Sequence, residues 1–107
     1  MNDPLAPLAA LIASRKGADP ASSYTASLFA KGPGKCAEKF GEEAIEAIIA
    51  AATGDRENLT AEAADVIYHL MVMLAARDVD WADVMAILDA RSGVSGHAEK
   101  AARKPGD

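Results

Sequence analysis

KCAEKFGEEAIEAIIAAATGDRENLTAEAADVIYHLMVMLAA, residues 35–76, decides the fold. Apolar residues recur at helical spacing on both sides of Gly54-Asp55. Before that pair, Cys36, Phe40, Ala44, Ala47, Ile48 and Ala51 form one apolar stripe. Ile45, Ile49 and Ala52 form a second stripe beside it. The spacing predicts a helix from about Lys35 to Thr53. Gly54 is a favourable stop, and Asp55 is a favourable cap for a second helix reaching about Arg77. Two long helices joined by so short a turn pack antiparallel. The second half of the later helix, Val66 to Ala76, is apolar nearly all round. A helix apolar on every side is buried on every side. A chain this small covers such a helix with difficulty, so a subunit interface is expected there, and with it a homodimer or higher homo-oligomer.

Outward from the hairpin, Leu5, Leu8, Leu11 and Ile12 predict a first helix that stops near Gly17. Ala18 to Ala21 is a connector, and Ser22 or Ser23 caps a short second helix through Ala30, anchored by Leu28 and Phe29. Gly32-Pro33-Gly34 reads as a break. After the hairpin, Asp80 is placed to cap a fifth helix, Trp81 to Arg91, with Val84, Ile87 and Leu88 facing inward. Ser95 to Lys104 is a short basic tail, possible as a further helix. The fold expected is all-α, a hairpin-based bundle of about four to five helices in one domain over residues 1–107. Composition agrees: 50% of the residues are hydrophobic, only 5% aromatic, and β-branched residues are sparse, which argues against a β-rich fold.

A net charge of −5 makes a poor surface for nucleic acid, which is recognised through a basic patch. A phosphorylated substrate remains open if metal ions neutralise its site. The single cysteine, Cys36, cannot form an intrachain disulfide and fits a reducing, cytoplasmic setting. Met1 to Ala13 lacks the basic start of a signal peptide. The Val66–Ala76 run, interrupted by His69, is too short to span a bilayer, so no membrane partner is expected.

The chemistry concentrates in Gly41-Glu42-Glu43-Ala44-Ile45-Glu46 and Glu62-Ala63-Ala64-Asp65. In each segment two carboxylates stand three residues apart and share a helical face. Both pairs sit among alanine, isoleucine and valine, an unusual setting for idle surface charges. Glu43 and Glu46 precede the turn by about as many helical turns as Glu62 and Asp65 follow it, so the four can meet at one height. Carboxylates gathered in this way repel, and at least one pKa should rise. A hard divalent cation resolves the conflict. Mg²⁺ takes oxygen ligands, retains waters and shares itself with substrate phosphates. The competing explanation is a set of solvated helix-surface acids.

Other candidates carry less. His69 follows Asp65 by one turn and reads first as a core or interface histidine. Lys31-Gly32-Pro33-Gly34-Lys35 has neither the spacing nor the following Ser or Thr of a phosphate loop. Lys31, Lys35 and Lys39 can still reach phosphates from the start of the third helix, with a solvated charged face as the equal alternative.

Further stretches extend the pattern: Ser23-Tyr24-Thr25-Ala26 with Leu28-Phe29-Ala30-Lys31-Gly32; Lys39-Phe40-Gly41-Glu42-Glu43 with Glu46; Gly54-Asp55-Arg56; Glu62-Ala63-Ala64-Asp65 with Tyr68-His69; and Ser95-Gly96 with Glu99-Lys100 and Arg103-Lys104. On these the chain resembles the phosphoribosyl-ATP pyrophosphohydrolase family of histidine biosynthesis, within the all-α NTP pyrophosphohydrolase (MazG-like) superfamily. One departure is Pro33-Gly34, where the family more often carries a Leu-Asp-like pair. The resemblance puts the superfamily's Glu-x-x-Glu … Glu-x-x-Asp signature on Glu43, Glu46, Glu62 and Asp65. It implies Mg²⁺-dependent cleavage of the α–β phosphoanhydride of phosphoribosyl-ATP, giving phosphoribosyl-AMP and pyrophosphate, by homodimers or larger helical assemblies. Residues and resemblance together assign metal binding to Glu43, Glu46, Glu62 and Asp65. They assign activation of water to Glu42 or Glu46, and phosphate contacts to Lys35, Lys39, Lys100, Arg103 and Lys104. Two alternatives stay open: a house-cleaning nucleoside triphosphate pyrophosphohydrolase on the same scaffold, and a catalytically inactive helical dimerisation module.

Overall fold

Seven-residue spacing organises the packing face of the longest hairpin. In the computed structural model, which describes residues 3–92, the buried residues of the third helix are Cys36, Glu43 and Ala50. Seven residues make almost two α-helical turns, so these three lie in one line. That helix, α3 (Pro33–Thr53), runs into α4 (Arg56–Ala76), and the two pack more extensively on each other than any other pair. Among the described residues three shorter helices join them: α1 (Ala6–Ser14), α2 (Tyr24–Ala30) and α5 (Trp81–Arg91). No strand occurs among the described residues, as the composition led one to expect.

The hairpin turn forms for local reasons. Gly54 takes the left-handed conformation at φ 75°, and its N–H and that of Asp55 close back onto the last α3 carbonyls. The Asp55 carboxylate then accepts from Asn58 N at 3.1 Å and caps α4. Ser23 caps α2 in the same way, accepting from Ala26 N at 3.1 Å.

The core gathers Ile12, Leu28, Cys36, Met71 and Val72, with Leu5, Ala9, Phe29, Tyr68, Ala76 and Trp81 packed around them. These residues come from all five helices or their flanks, and α4 lies at the centre, touched by each of the other four. By length and composition α4 is apolar enough to cross a membrane. The expectation that no segment meets that test rested on Val66–Ala76 alone; the whole helix meets it. Within the bundle its buried residues are His69, Met71 and Val72.

Several details differ from expectation. The expected break at Gly32-Pro33-Gly34 separates α2 from α3 but is shorter than expected: Gly32, at φ 94°, is the N-cap of α3, and Pro33 already opens the helix. Proline is tolerated there because the N–H it lacks has no intrahelical partner at that position. The first helix turns inward along Leu5, Ala9 and Ile12, leaving Leu8 and Leu11 exposed. Asp80 stands at the N-cap of α5 but makes no side-chain capping bond. Ile87 and Leu88 are half-exposed where they were expected to face inward. Of the expected α3 stripes, Cys36 is buried and Phe40, Ala44 and Ala47 are half-buried, whereas Ile45, Ile48 and Ile49 are 59%, 65% and 57% exposed. Within Val66–Ala76, the segment expected to form a subunit interface, Ile67 is the exposed large apolar residue. The tail from Ser95 to Lys104 lies outside the described residues.

Candidate active site

The inward line of α3 places a carboxylate where the core calls for an apolar side chain. Glu43 is only 9% exposed. Across the hairpin, Glu62 and Asp65 project from α4, and ligand oxygens of Glu43, Glu62 and Asp65 all lie within 4.8 Å of one another. Antiparallel packing about the Gly54 turn accounts for this register. Glu46, one turn beyond Glu43, is more exposed and approaches the group through Glu62. The structure therefore brings three of the four expected ligands into one constellation, with the fourth at its edge.

The electrostatics follow from that crowding. Burial, then the adjacent Glu46 carboxylate, then Glu43 and Asp65, push the Glu62 pKa up from its ordinary value. Oε2 of Glu62 is buried and has no hydrogen-bond partner. A buried polar atom left without a partner is costly. A cation placed among these oxygens would remove both the repulsion and the missing contact. The donors are all carboxylate oxygens, the set that suits hard ions such as Mg²⁺. Glu43, Glu62 and Asp65, with Glu46 beside them, are thus the residues able to hold a divalent metal.

Lys39 stands one turn before Glu43. Its ammonium lies 3.4 Å from Glu43 Oε1 and 3.5 Å from Glu42 Oε2. These two acids, Glu43 first, hold the Lys39 pKa above its usual value. Lys35, a turn further back and exposed, pairs with Glu38 at 3.1 Å. Leu28, Lys31, Lys35, Glu38, Lys39 and Glu42 line a pocket of about 280 Å³ directly beside the acids. Of the other phosphate-contact candidates, Lys100, Arg103 and Lys104 lie outside the described residues.

His69 is 5% exposed, as its apolar setting suggested. Burial depresses its pKa, Nδ1 has no hydrogen-bond partner, and its ring meets Tyr68 edge-on at 4.9 Å. The Tyr68 hydroxyl is hydrogen-bonded to Thr25 Oγ1, tying α2 to α4 next to the site. Sequence spacing had no means of finding that bond, because its partners are 43 residues apart. The Lys39–Glu43 contact, by contrast, was available from its i,i+4 spacing.

The chain that carries this acid constellation matches a known family. The family model described as phosphoribosyl-ATP pyrophosphohydrolase matches residues 5–92. The chain belongs to this family. Similar relatives include the phosphoribosyl-ATP pyrophosphatase of Cereibacter sphaeroides, 72% identical over 96 residues that cover 90% of this chain and 93% of the relative. The protein of that name from Rhodobacter capsulatus is 71% identical over 99 residues, 92% of this chain and 96% of the relative. That from Ruegeria pomeroyi is 69% identical over 99 residues, 92% and 94% of the two chains. The matched region of the phosphoribosyl-ATP pyrophosphohydrolase family model contains all five helices, both acid pairs and Lys31, Lys35 and Lys39.

Proposed function

We infer that the chain hydrolyses the α–β phosphoanhydride of phosphoribosyl-ATP to phosphoribosyl-AMP and pyrophosphate, a step of histidine biosynthesis. Family membership over residues 5–92 carries this conclusion. The relatives' shared name, at about 70% identity, favours this substrate over a house-cleaning role toward other nucleoside triphosphates. The same shared enzyme name favours an active hydrolase over an inactive dimerisation module that uses its acids for metal-linked assembly.

A divalent cation, proposed to be Mg²⁺, would supply charge neutralisation at the phosphate oxygens and polarisation of the anhydride. Glu43, Glu62 and Asp65 would hold it, supported by their mutual approach within 4.8 Å. Glu46 borders Glu62 at the rim, where it can complete the ligand set or accept a proton from the attacking water. Glu42 is the alternative base, less favoured because Lys39 engages it. Lys35 and Lys39 flank the 280 Å³ pocket and are assigned to phosphate oxygens. Lys100, Arg103 and Lys104 keep that assignment from the sequence alone.

We further assign the chain to one cytoplasmic domain acting as a homodimer or larger assembly. The exposed Ile45, Ile48 and Ile49 on α3, rather than most of Val66–Ala76, support the assembly. Sedimentation equilibrium should give a mass of at least twice 11.1 kDa, and Ile48→Glu should reduce it. A monodisperse monomer of the parent at micromolar concentration refutes the assembly.

The reaction is tested by incubating the protein with phosphoribosyl-ATP, dATP or dCTP and following products. Pyrophosphate should appear from phosphoribosyl-ATP, and excess EDTA should abolish its release. Orthophosphate as first product, or undiminished turnover in EDTA, overturns the assignment.

A further inference from the structure

Lys39 sits between an acidic cluster and a pocket of mixed charge, whose other charged walls are Lys31, Lys35, Glu38 and Glu42. On one side are the carboxylates of Glu43, Glu62 and Asp65, mutually within 4.8 Å. On the other is the pocket that Lys39 lines with Lys31 and Lys35. Among the described residues, the ion pairs that reach the buried acid Glu43 come from Lys39, 3.4 Å away. Glu43 cannot leave the core line it occupies with Cys36 and Ala50 without unpacking α3 from α4. Its carboxylate therefore stays where it is and takes whatever cation is at hand.

We propose that Lys39 is a displaceable counter-ion: it neutralises Glu43 while the acid constellation is empty, and a divalent cation binding there displaces its ammonium toward the lysine-lined pocket. This rests on the metal-site assignment above and concerns what the chain does when the metal arrives. A metal–carboxylate contact of about 2 Å and an ammonium 3.4 Å from Glu43 Oε1 put two cations in mutual repulsion across one carboxylate. The metal carries twice the charge and is shared with Glu62 and Asp65, whereas Lys39 has a flexible stem and a second acid, Glu42, on the pocket side. The lysine is the partner that moves. Its release from Glu43 leaves its charge to the pocket it already lines, where Glu38 and Glu42 otherwise balance Lys31 and Lys35, so the pocket becomes most attractive to a polyphosphate chain when the metal is in place. Lys39 is in this sense a positioning residue for the metal.

The test is Mn²⁺ binding to the full chain, read from the electron paramagnetic resonance signal of free Mn²⁺. Parent, Lys39→Met and Lys35→Met are compared. Lys35→Met removes the same charge one turn away, from a lysine paired with Glu38. Lys39→Met should bind Mn²⁺ about tenfold more tightly than the parent, as expected for loss of one charge-assisted competitor. Lys35→Met should stay within about twofold of the parent. Thermal melting supplies a second measurement: in EDTA, Lys39→Met should melt below the parent, and Mn²⁺ should raise its melting temperature by more than it raises the parent's. Equal tightening by both variants reduces the effect to overall charge and overturns the proposal. Unchanged or weaker binding by a folded Lys39→Met also overturns it while leaving the metal site intact. Absence of Mn²⁺ binding by the parent overturns the metal site itself, and the proposal with it.

Discussion

Asp65→Asn separates a metal ligand from an ordinary helix-surface acid, because the two roles predict opposite changes in stability. Without metal, the substitution removes one of three carboxylates whose oxygens lie within 4.8 Å of one another. Two unit charges at that distance repel by about 3 kcal/mol at an effective dielectric constant near 20. Asp65 is exposed and Lys39 already offsets part of the charge on Glu43, so solvent screening lowers the net relief to about 1 kcal/mol. In EDTA the variant should therefore melt about 4 °C above the parent. With metal the order reverses. A ligand that binds only the folded parent stabilises it by roughly 2.7 kcal/mol at a hundredfold excess over its dissociation constant. The variant, short of one carboxylate, should gain less, and pyrophosphate release should be lost. The assay is thermal melting of both proteins in EDTA and in several millimolar Mg²⁺, beside turnover of phosphoribosyl-ATP. If Asp65→Asn melts well below the parent in EDTA, or if Mg²⁺ shifts both proteins equally, Asp65 is not a metal ligand.

Two further outcomes follow from the site's surroundings. Glu62, with its folded pKa raised above the ordinary 4.5, binds its proton more tightly folded than unfolded; metal-free stability should fall as pH rises from about that value through the raised one. His69 works in the opposite direction below its ordinary 6.5, so the measurement is the difference between parent and Glu62→Gln melting curves in EDTA: the variant should lose the fall assigned to Glu62, and identical pH slopes refute it. Tyr68→Phe removes the hydroxyl that bonds to Thr25 and should cost about 1 kcal/mol by urea unfolding, with Mn²⁺ affinity unchanged; a double variant that adds Thr25→Val should lose less than the sum of the singles.

The hairpin was legible because its signals are local. Gly54 supplies the left-handed residue that ends α3, and the Asp55 side chain accepts from the free N–H of Asn58 in the first turn of α4. Both depend only on residues a turn away. The direction each helix faces is not local in this sense. Apolarity pointed to Ile45, Ile48 and Ile49, yet these lie outward, and the line that packs on α4 is Cys36, Glu43 and Ala50. Periodicity finds apolar stripes; it does not say which stripe meets the chain's own core and which is left for another surface. Ile87 and Leu88 on α5 failed for the same reason.

The site was more legible than the core around it. Glu43, Glu62 and Asp65 could be grouped from two i,i+3 pairs and one short turn, since helix geometry fixes both. A carboxylate on the inward line also explains why the core reading erred there. Glu43 holds a position that an apolar residue would fill at no electrostatic cost, and it lacks the freedom to turn to water. Such a residue is tolerable only with a cation beside it, and α3 carries one at the preceding turn, Lys39. The same spacing that lets Lys39 reach Glu43 also puts it on the wall of the pocket with Lys31 and Lys35. One helical turn thus links the stability of the empty fold to the charge of the neighbouring pocket. A substitution at Lys39 must disturb both, and a helix that carried Glu43 without a basic residue one turn earlier would have to find its cation elsewhere.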